Sequence, residues 1–544
     1  MTNDLKRSSA RSPQDVVIGV DVGSQSARAG VFDLQGTLLA VAKQDITLFN
    51  DAQDHFEQSA EEIWQAVCHS VRSALAQFTK GDLNIIGMGF DATCSLVVVG
   101  EGGKPLAVGD RDEPERNVIV WMDHRATEQA ERINATQHAV LKFVGNRISP
   151  EMETPKLLWL KEHRRQTYDN AWQFFDLVDY LTWRATGDLS RSMCTVTCKW
   201  TYLAHEQRWD ADYFRQIGLN ELADENFARI GTRVVTPGTA CVSGLTETAA
   251  QQMGLATGIP VGVGMIDAHA GGIGTVGVTG QATQNMAYIF GTSSCTMTTT
   301  QLPQFVPGVW GPYYSAMVPD MWLSEGGQSA AGAAIDRLLA SHPGGASYDV
   351  LGPESGASLP KRLADYALAE QPAVSPAIEW PGGVHVVPEF LGNRAPFANP
   401  QSRAVIAGLG MENDLSSLLA LYVAGITSLG YGLKQIIAAQ SERGIEIENI
   451  VISGGAGQHP FVRQLIADAC DKPVIGTLSE EPVLLGAAML GVIASGKELS
   501  LTDVMTKMNH VDTIYVPSEE YRVHHKRRFY SFELLQQSAG MLSK

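Results

Sequence analysis

The sequence predicts an α/β protein whose two domains flank a central cleft, and three observations carry that prediction. At 544 residues the chain is long enough for several structural units with a sizeable core. Apolar strand runs alternate with helix-period segments in both halves. An apolar strand ending in a Gly and Ser/Thr turn stands near the start of each half, at Asp21-Val22-Gly23-Ser24-Gln25-Ser26 and at Gly291-Thr292-Ser293-Ser294, the pattern of an internal duplication.

The elements follow in order. Residues 1–14 are polar and aperiodic and read as a tail, so ordered structure is expected from Val16. The run VVIGVDVGSQSARAGVFDLQGTLLAVAKQDI reads as two strands joined by a Gly/Ser turn, then a turn at Leu34 to Gly36 and a third strand. Ser59-Ala60-Glu61-Glu62 forms a capping box, and Ile63, Val67, Val71, Leu75 and Phe78 continue it as an amphipathic helix. Asn84 to Val99 is a continuous apolar strand of the buried parallel kind. The segment GEGGKPLAVGDRDEPERN reads as a solvated loop, with an insertion near the ligand as the alternative. A helical middle spans about Ala126 to Thr186, with Gly187 as its C-cap. Gly-rich chain from Gly244 to Gly264 precedes a new strand pattern, which places the domain boundary near residue 275 and gives domains 15–275 and 276–544. In the second, ENIVISGGAGQHPFVRQLIADAC reads as strand, Gly turn and helix, and Leu484 to Ala494 as a buried helix.

Composition narrows the partners. With 44% apolar and 18% charged residues the chain reads as globular, and its net charge of -18 repels nucleic acid and anionic membrane. Any phosphate chemistry must therefore use local devices: backbone amides, a divalent ion or one placed Lys. Seven scattered Cys suit a reducing compartment. Cys194 and Cys198 have half a zinc site's spacing but no second pair follows, so no structural metal is expected. Lys6, Arg7 and Arg11 precede an apolar run that is too short for an export signal, and no stretch of 18 apolar residues runs uninterrupted. A cytoplasmic protein without a membrane span is expected.

Chemistry concentrates in Gly-centred turns. Besides the two already named, Ser453-Gly454-Gly455-Ala456-Gly457 follows a third apolar strand. Glycines let the backbone approach a phosphate or purine closely, and free N–H groups bind anionic oxygens. Asp21 can hold a hydrated Mg2+. Each turn alone reads more readily as a tight turn than as a ligand site, and none matches the P-loop or dinucleotide fingerprint; the ordered set is the signal. Gly262-Val263-Gly264-Met265-Ile266-Asp267-Ala268-His269 adds an acid at the end of a Gly-rich strand beside the domain boundary. A carboxylate there can take the proton of a hydroxyl as its oxygen attacks phosphorus. Asp267 is thus the candidate base, with helix capping as its other reading, and His269 is read as a packed histidine without a role.

These residues resemble the FGGY carbohydrate kinases of the actin-like, ribonuclease H-like ATPase superfamily. The likeness covers nearly the whole chain after the tail, through IGVDVGSQSARAGVFD, GFDATCSLVVV, VIVWMDHRA, VDYLTWRATG, VGVGMIDAHAGGIG, IFGTSSC, SEGGQSAAG, PEFLGNRAPFANPQSRAVIAGL and VISGGAGQHPFVRQLIADA. It implies ATP as phosphoryl donor with Mg2+, and a small-molecule sugar as acceptor. By the resemblance, Asp21, Gly23 and Ser24 lie near metal and terminal phosphates, Gly291 and Thr292 approach the phosphates, and Gly454, Gly455 and Gln458 lie against the adenosine. Asp267 is then the base, sharing the Mg2+ with Asp21 through water. Asp123, Glu325 and Lys199 resemble sugar-contacting positions. Thr93-Cys94-Ser95-Leu96-Val97 resembles the signature of a D-ribulokinase subgroup, with Thr93 and Cys94 ending at the sugar while Leu96 to Val99 pack in the core. The implied reaction phosphorylates the terminal hydroxyl of a ketopentose, D-ribulose first. L-ribulose, xylulose or another polyol stand as alternatives within the class; a nucleotide-operated chaperone and an inactive sugar sensor stand outside it. Many members of the family are dimers, so a homodimer is admitted, though no interface is legible in one sequence.

Overall fold

The opening apolar run forms the centre of a five-stranded sheet. In the computed structural model, which describes residues 13–52, 54–79, 81–344 and 356–542, the order is Val261–Ile266, Leu83–Ala92, Gln14–Val22, Ser26–Asp33, Leu38–Asp45. The first three strands run parallel and the last three antiparallel, because tight turns join the antiparallel strands while long crossovers feed the parallel ones. A second sheet repeats this order from its centre: Val474–Thr477, Asn449–Ser453, Asn285–Phe290, Ser294–Thr300, Trp322–Gln328, with Val511–Tyr515 and Trp310–Tyr314 added at the two edges. Its first three strands are again parallel and the next two antiparallel. The recurring Gly and Ser/Thr turn is therefore the hairpin of a repeated sheet.

Two helices join the sheets. Asp267–Val276 follows the outer parallel strand of the first sheet, and Pro482–Ala494 comes from late in the chain yet packs on that same sheet. Gly19, Gly87 and Gly89 permit this, since a Cβ on any of them would strike the carbonyl oxygens of Leu484, Gly491 or Ala487. The helices also cross each other at glycines: a Cβ on Gly486 would overlap the Ala270 carbonyl, and one on Gly274 that of Pro482. Side chains from both halves thus merge into one core containing Ile266, Ala270, Ile273, Leu484 and Ala488.

Several expectations are adjusted. Gln14 already pairs in the opening strand, its N–H donating to Asp82 O at 2.9 Å; residues 1–12 of the expected tail lie outside the described residues. Half of the capping box forms: Ser59 Oγ accepts from Glu62 N at 3.3 Å ahead of the helix Ala60–Leu75, but Glu62 Oε1 turns away to accept from Thr47 N and Oγ1 at 3.0 and 2.7 Å. The long strand expected from Asn84 to Val99 is two strands, Leu83–Ala92 and Leu96–Val99, in different sheets. Between them Thr93-Cys94-Ser95 makes the switch, with Thr93 N still bonded to Val22 O and Ser95 N folded back to Thr93 O, both at 2.9 Å. The helical middle contains a strand, Gln173–Asp176, between Arg165–Asn170 and Leu177–Thr186; Gly187 caps the latter in left-handed conformation. The charged loop is solvated only in part. Arg116, near its end, is 5% exposed and pairs with Glu57 at 2.9 Å.

The helix Leu415–Ser441 has a membrane span's length and a window of mean hydropathy 1.4, but 78% of that window is buried inside the fold. It packs against the helices Gly332–Leu339 and Pro460–Cys470. Its apolar length is core material.

Candidate active site

Parallel strands leave their C-terminal ends free to present side chains to a ligand. Here those ends carry acids. Asp21 and Asp91 are register partners on adjacent strands, Met265 pairs with Asp91 from the other side, and Asp267 opens the helix two residues later. Asp21 is 3% exposed and accepts from Arg28 Nε at 2.9 Å, while Arg28 Nη1 donates to Glu481 Oε2 at 2.6 Å. Asp91 is fully buried, and neither of its carboxylate oxygens has a conventional hydrogen-bond partner. Burial first, then the facing Asp21, holds Asp91 well above the ordinary carboxylate range.

Asp267 is half-buried, and its Oδ1 accepts from Ala268 N at 2.7 Å, so it does settle the first turn of its helix as well as facing the acids. Burial, and next Asp21, push it up to about 6. Beside it stands Lys199, last residue of the helix Met193–Lys199. Burial opposes the ammonium charge, yet Cys94, Glu325, Tyr313 and Glu151 around it hold Lys199 well above its usual value. Thr93 and Cys94, 6% and 7% exposed, occupy the sheet switch next to this lysine.

Glu325, on the strand Trp322–Gln328, completes the group. Its Oε2 lies 3.6 Å from His269 Nε2, and its Oε1 accepts from Cys295 Sγ at 3.5 Å. Burial works against its charge, but His269 and Lys199 bring it down to about 2. His269 Nδ1 in turn sits 3.0 Å from Cys194 Sγ. Burial disfavours the imidazolium, yet Cys194 and Glu325 raise His269 to about 10. Asp123 is different from what its motif suggested. Phe56 N, Arg125 N, Arg125 Nε and Arg125 Nη2 donate to its two oxygens at 2.6, 2.9, 2.8 and 2.8 Å. Those four donors fill a carboxylate's usual acceptor directions. Asp123 is spent on fixing the loop that carries Trp121, whose Nε1 donates to Ser24 Oγ at 2.9 Å.

The second set of turns meets at the other sheet. Gly23 N bonds to Ser26 O and, at the equivalent turn, Gly291 N to Ser293 O, both at 3.0 Å. The helix Gly332–Leu339 starts on that second turn, Gly332 N donating to Gly291 O at 3.0 Å and Ala331 N to Thr292 O at 2.9 Å. Gly454 has φ of +90°, and a Cβ there would strike the Phe290 carbonyl, so the late turn rests directly on the end of the strand Asn285–Phe290, just before Gly291. Gly455 faces open space. Together with Gln458 and Gly332 it lines a cavity of about 540 Å³ whose apolar walls include Phe290, Ile335, Tyr422 and Ile426, a size and lining suited to a heteroaromatic ring. The segment Glu480–Glu481 links the two sets: Gln458 Nε2 donates to Glu480 O at 3.4 Å, and Glu481 holds Arg28.

Reading the sequence missed Asp91, His269, Cys194 and Cys295. Only register could have found Asp91, since an acid within an apolar strand becomes informative when its neighbour across the ladder is Asp21. Carboxylates alone make up the donor set around Asp21, Asp91 and Asp267, which suits a hard, hydrated divalent cation. Asp91, which faces Asp21 with no conventional donor on either oxygen, is the feature that such an ion would relieve. Among the described residues no group of three or more His, Cys, Asp and Glu side chains is placed to hold a metal ion directly.

Models of the FGGY family of carbohydrate kinases match residues 16–274 with the N-terminal domain and 286–495 with the C-terminal domain. The chain is 41% identical over 537 residues to an FGGY carbohydrate kinase domain-containing protein of Homo sapiens, covering 96% of each. It is 36% identical over 522 residues to a D-ribulokinase of Saccharomyces cerevisiae, covering 89% of this chain and 73% of that protein. A xylulose kinase of Rhodospirillum rubrum, at 21% identity, superposes with a TM-score of 0.79 over 97% of this chain and 99% of its own, a likeness of fold.

Proposed function

The chain belongs to the FGGY family of carbohydrate kinases, an ATP-dependent sugar kinase on the two-domain actin-like ATPase fold, and from that premise we propose that its acceptor is D-ribulose, phosphorylated on the terminal hydroxyl. The observation that carries the substrate is Thr93-Cys94-Ser95-Leu96-Val97: the residues that resemble the D-ribulokinase signature sit at the switch between sheets, beside Lys199 and at the end of the strand carrying Asp91. The 36% identity to a D-ribulokinase over most of the chain supports the same choice.

In this reading Asp267 takes the proton of the attacking hydroxyl, and its elevated affinity for a proton suits a base working near neutrality. Lys199 and Glu325 hold the ketose, with Thr93 and Cys94 closing the wall behind it. Asp123 acts through Trp121 and Arg125 and makes no sugar contact. Gly291 and Thr292 meet the phosphates, and Gly454, Gly455 and Gln458 the adenosine. Asp21, Asp91 and Asp267, with Gly23 and Ser24 in the adjoining turn, would hold Mg2+ through water; the ion supplies charge neutralisation on the transferring phosphoryl group. Backbone N–H groups at the glycine turns complete that neutralisation. Closure of the two sheets about their crossing helices would exclude water from the reaction. The proposed enzyme is cytoplasmic.

An ADP-release assay over D-ribulose, L-ribulose, D- and L-xylulose and pentitols tests the substrate. D-ribulose should lead in kcat/KM by about 10-fold or more, because a misplaced hydroxyl leaves buried polar groups of the site unpaired. A higher kcat/KM for xylulose or a pentitol would replace D-ribulose. ATP hydrolysis with no phosphorylated sugar in any reaction would overturn the whole reading.

A further inference from the structure

Three elements that carry the proposed sugar contacts are joined by side chains to which the reaction assigns nothing. The helix Met193–Lys199 bears both Lys199 and Cys194. The helix Asp267–Val276 bears both Asp267 and, two residues on, His269. Glu325 lies on the strand Trp322–Gln328. Cys194 Sγ is 3.0 Å from His269 Nδ1 and accepts from Ile266 N at 3.4 Å, while His269 Nε2 is 3.6 Å from Glu325 Oε2. Cys194 and His269 are 0% and 1% exposed, so solvent cannot replace either partner.

We propose that His269, anchored by Cys194, is a positioning residue for sugar binding: it fixes the Glu325 carboxylate at the angle from which it accepts a sugar hydroxyl, and ties that carboxylate to the helices of Lys199 and Asp267. The assignment rests on Glu325 meeting the sugar. Among the described residues the one side-chain hydrogen bond that Glu325 accepts comes from the weak thiol of Cys295 at 3.5 Å, while Lys199 acts on it through charge. Directional restraint of the carboxylate therefore falls chiefly to the imidazole. The imidazole has two neighbours on opposite nitrogens, which fixes its ring plane, and Ile266 N anchors the sulfur from the strand end just before the base. A displacement of His269 moves the sugar-binding carboxylate while leaving the nucleotide cavity at Phe290 and Gly455 untouched.

The test separates the two ring nitrogens. His269→Gln carries its amide toward the place of Nε2 and keeps a donor for Glu325; His269→Asn carries its amide toward Nδ1 and keeps only the Cys194 side. His269→Asn should raise the sugar KM about 10-fold or more with the ATP KM within about 2-fold, and His269→Gln should recover most of that loss. Cys194→Ser should stay within about 3-fold of wild type and Cys194→Ala should exceed it. Adding His269→Asn to Glu325→Gln should cost little further sugar affinity, since both act through one contact. Equal KM values for the Asn and Gln variants, or a rise in ATP KM that matches the rise in sugar KM, would reduce His269 to packing and overturn the proposal. An unchanged sugar KM in Glu325→Gln would overturn it too, by removing its premise. All KM values are read with whichever sugar wild type turns over best, so a change of substrate identity leaves the Asn-against-Gln comparison intact.

Discussion

Replacing Asp267 by Asn separates the cost of holding a carboxylate in this site from its use. Burial and the facing Asp21 raise it from 3.8 to about 6. Roughly two pKa units correspond to about 3 kcal/mol of destabilisation when the group is ionised. Asp267 is only half-buried, so solvent screening reduces this to about 1–2 kcal/mol. Asn keeps an oxygen for the Ala268 N–H at 2.7 Å and carries no charge. The sign follows from the two proton affinities. Below the unfolded value both states hold the proton and the variant gains nothing; its advantage grows as pH rises between 3.8 and about 6 and is complete above that. Asp267→Asn without ligands should therefore unfold in urea at a higher midpoint than wild type at pH 8, and at the same midpoint near pH 4. Turnover should fall about 10²- to 10⁴-fold, with nucleotide binding retained. In wild type, kcat/KM should decline as pH drops through about 6, where the base becomes protonated. Wild-type turnover in the variant, or a variant less stable than wild type at pH 8, would refute the reasoning.

Two further outcomes follow from the fold. Gly486→Ala places a methyl group against the Ala270 carbonyl where the two central helices cross; overpacking should cost about 1–3 kcal/mol, read as a lower urea midpoint, whereas the stabilisation ordinarily gained by Gly→Ala in a helix would contradict so close a crossing. Lys156 and Glu153 are both fully buried with 3.6 Å between Nζ and Oε1, and burial pushes Glu153 up to about 7. Lys156→Met should cost about 3–5 kcal/mol by leaving a buried acid unpaired, and adding Glu153→Gln should restore much of it; additive losses in the double variant would place the effect in packing alone.

What the sequence made legible was local. The Ser59 cap, the Gly187 cap and the turn at Gly23 each depend on a few consecutive residues, and each formed as the pattern required. The family was legible because its motifs are short turns whose order survives in the chain. What escaped depends on contacts between distant residues. Asn84 to Val99 reads as one apolar strand because periodicity cannot show that the chain leaves one sheet for another at Thr93. Asp123 looks like a free acid in WMDHRA until Phe56 and Arg125 are seen to occupy both its oxygens. His269, read from the sequence as ordinary packing, lies between a thiol that precedes it by 75 residues and a glutamate 56 residues later, and no spacing rule encodes that.

The net charge of -18 makes a site for ATP look improbable until the charge is placed. Much of the negative charge nearest the proposed reaction centre is already matched or disfavoured: Asp21 and Glu481 share Arg28, Glu325 has His269 and Lys199, and burial together with Asp21 pushes Asp91 well above the ordinary carboxylate range. What the proposed nucleotide site adds is backbone. The helix Gly332–Leu339 begins on the turn of Gly291, and although the N–H groups of Ala331, Gly332 and Ala333 bond to the Gly291 and Thr292 carbonyls, its dipole puts partial positive charge at the turn proposed to meet the phosphates. Such dipoles act within a turn's length, while the acidic exterior acts only over a screened distance of roughly 8–10 Å. In the proposed site the short-range field of the turn would therefore outweigh the acidic exterior in holding a polyphosphate.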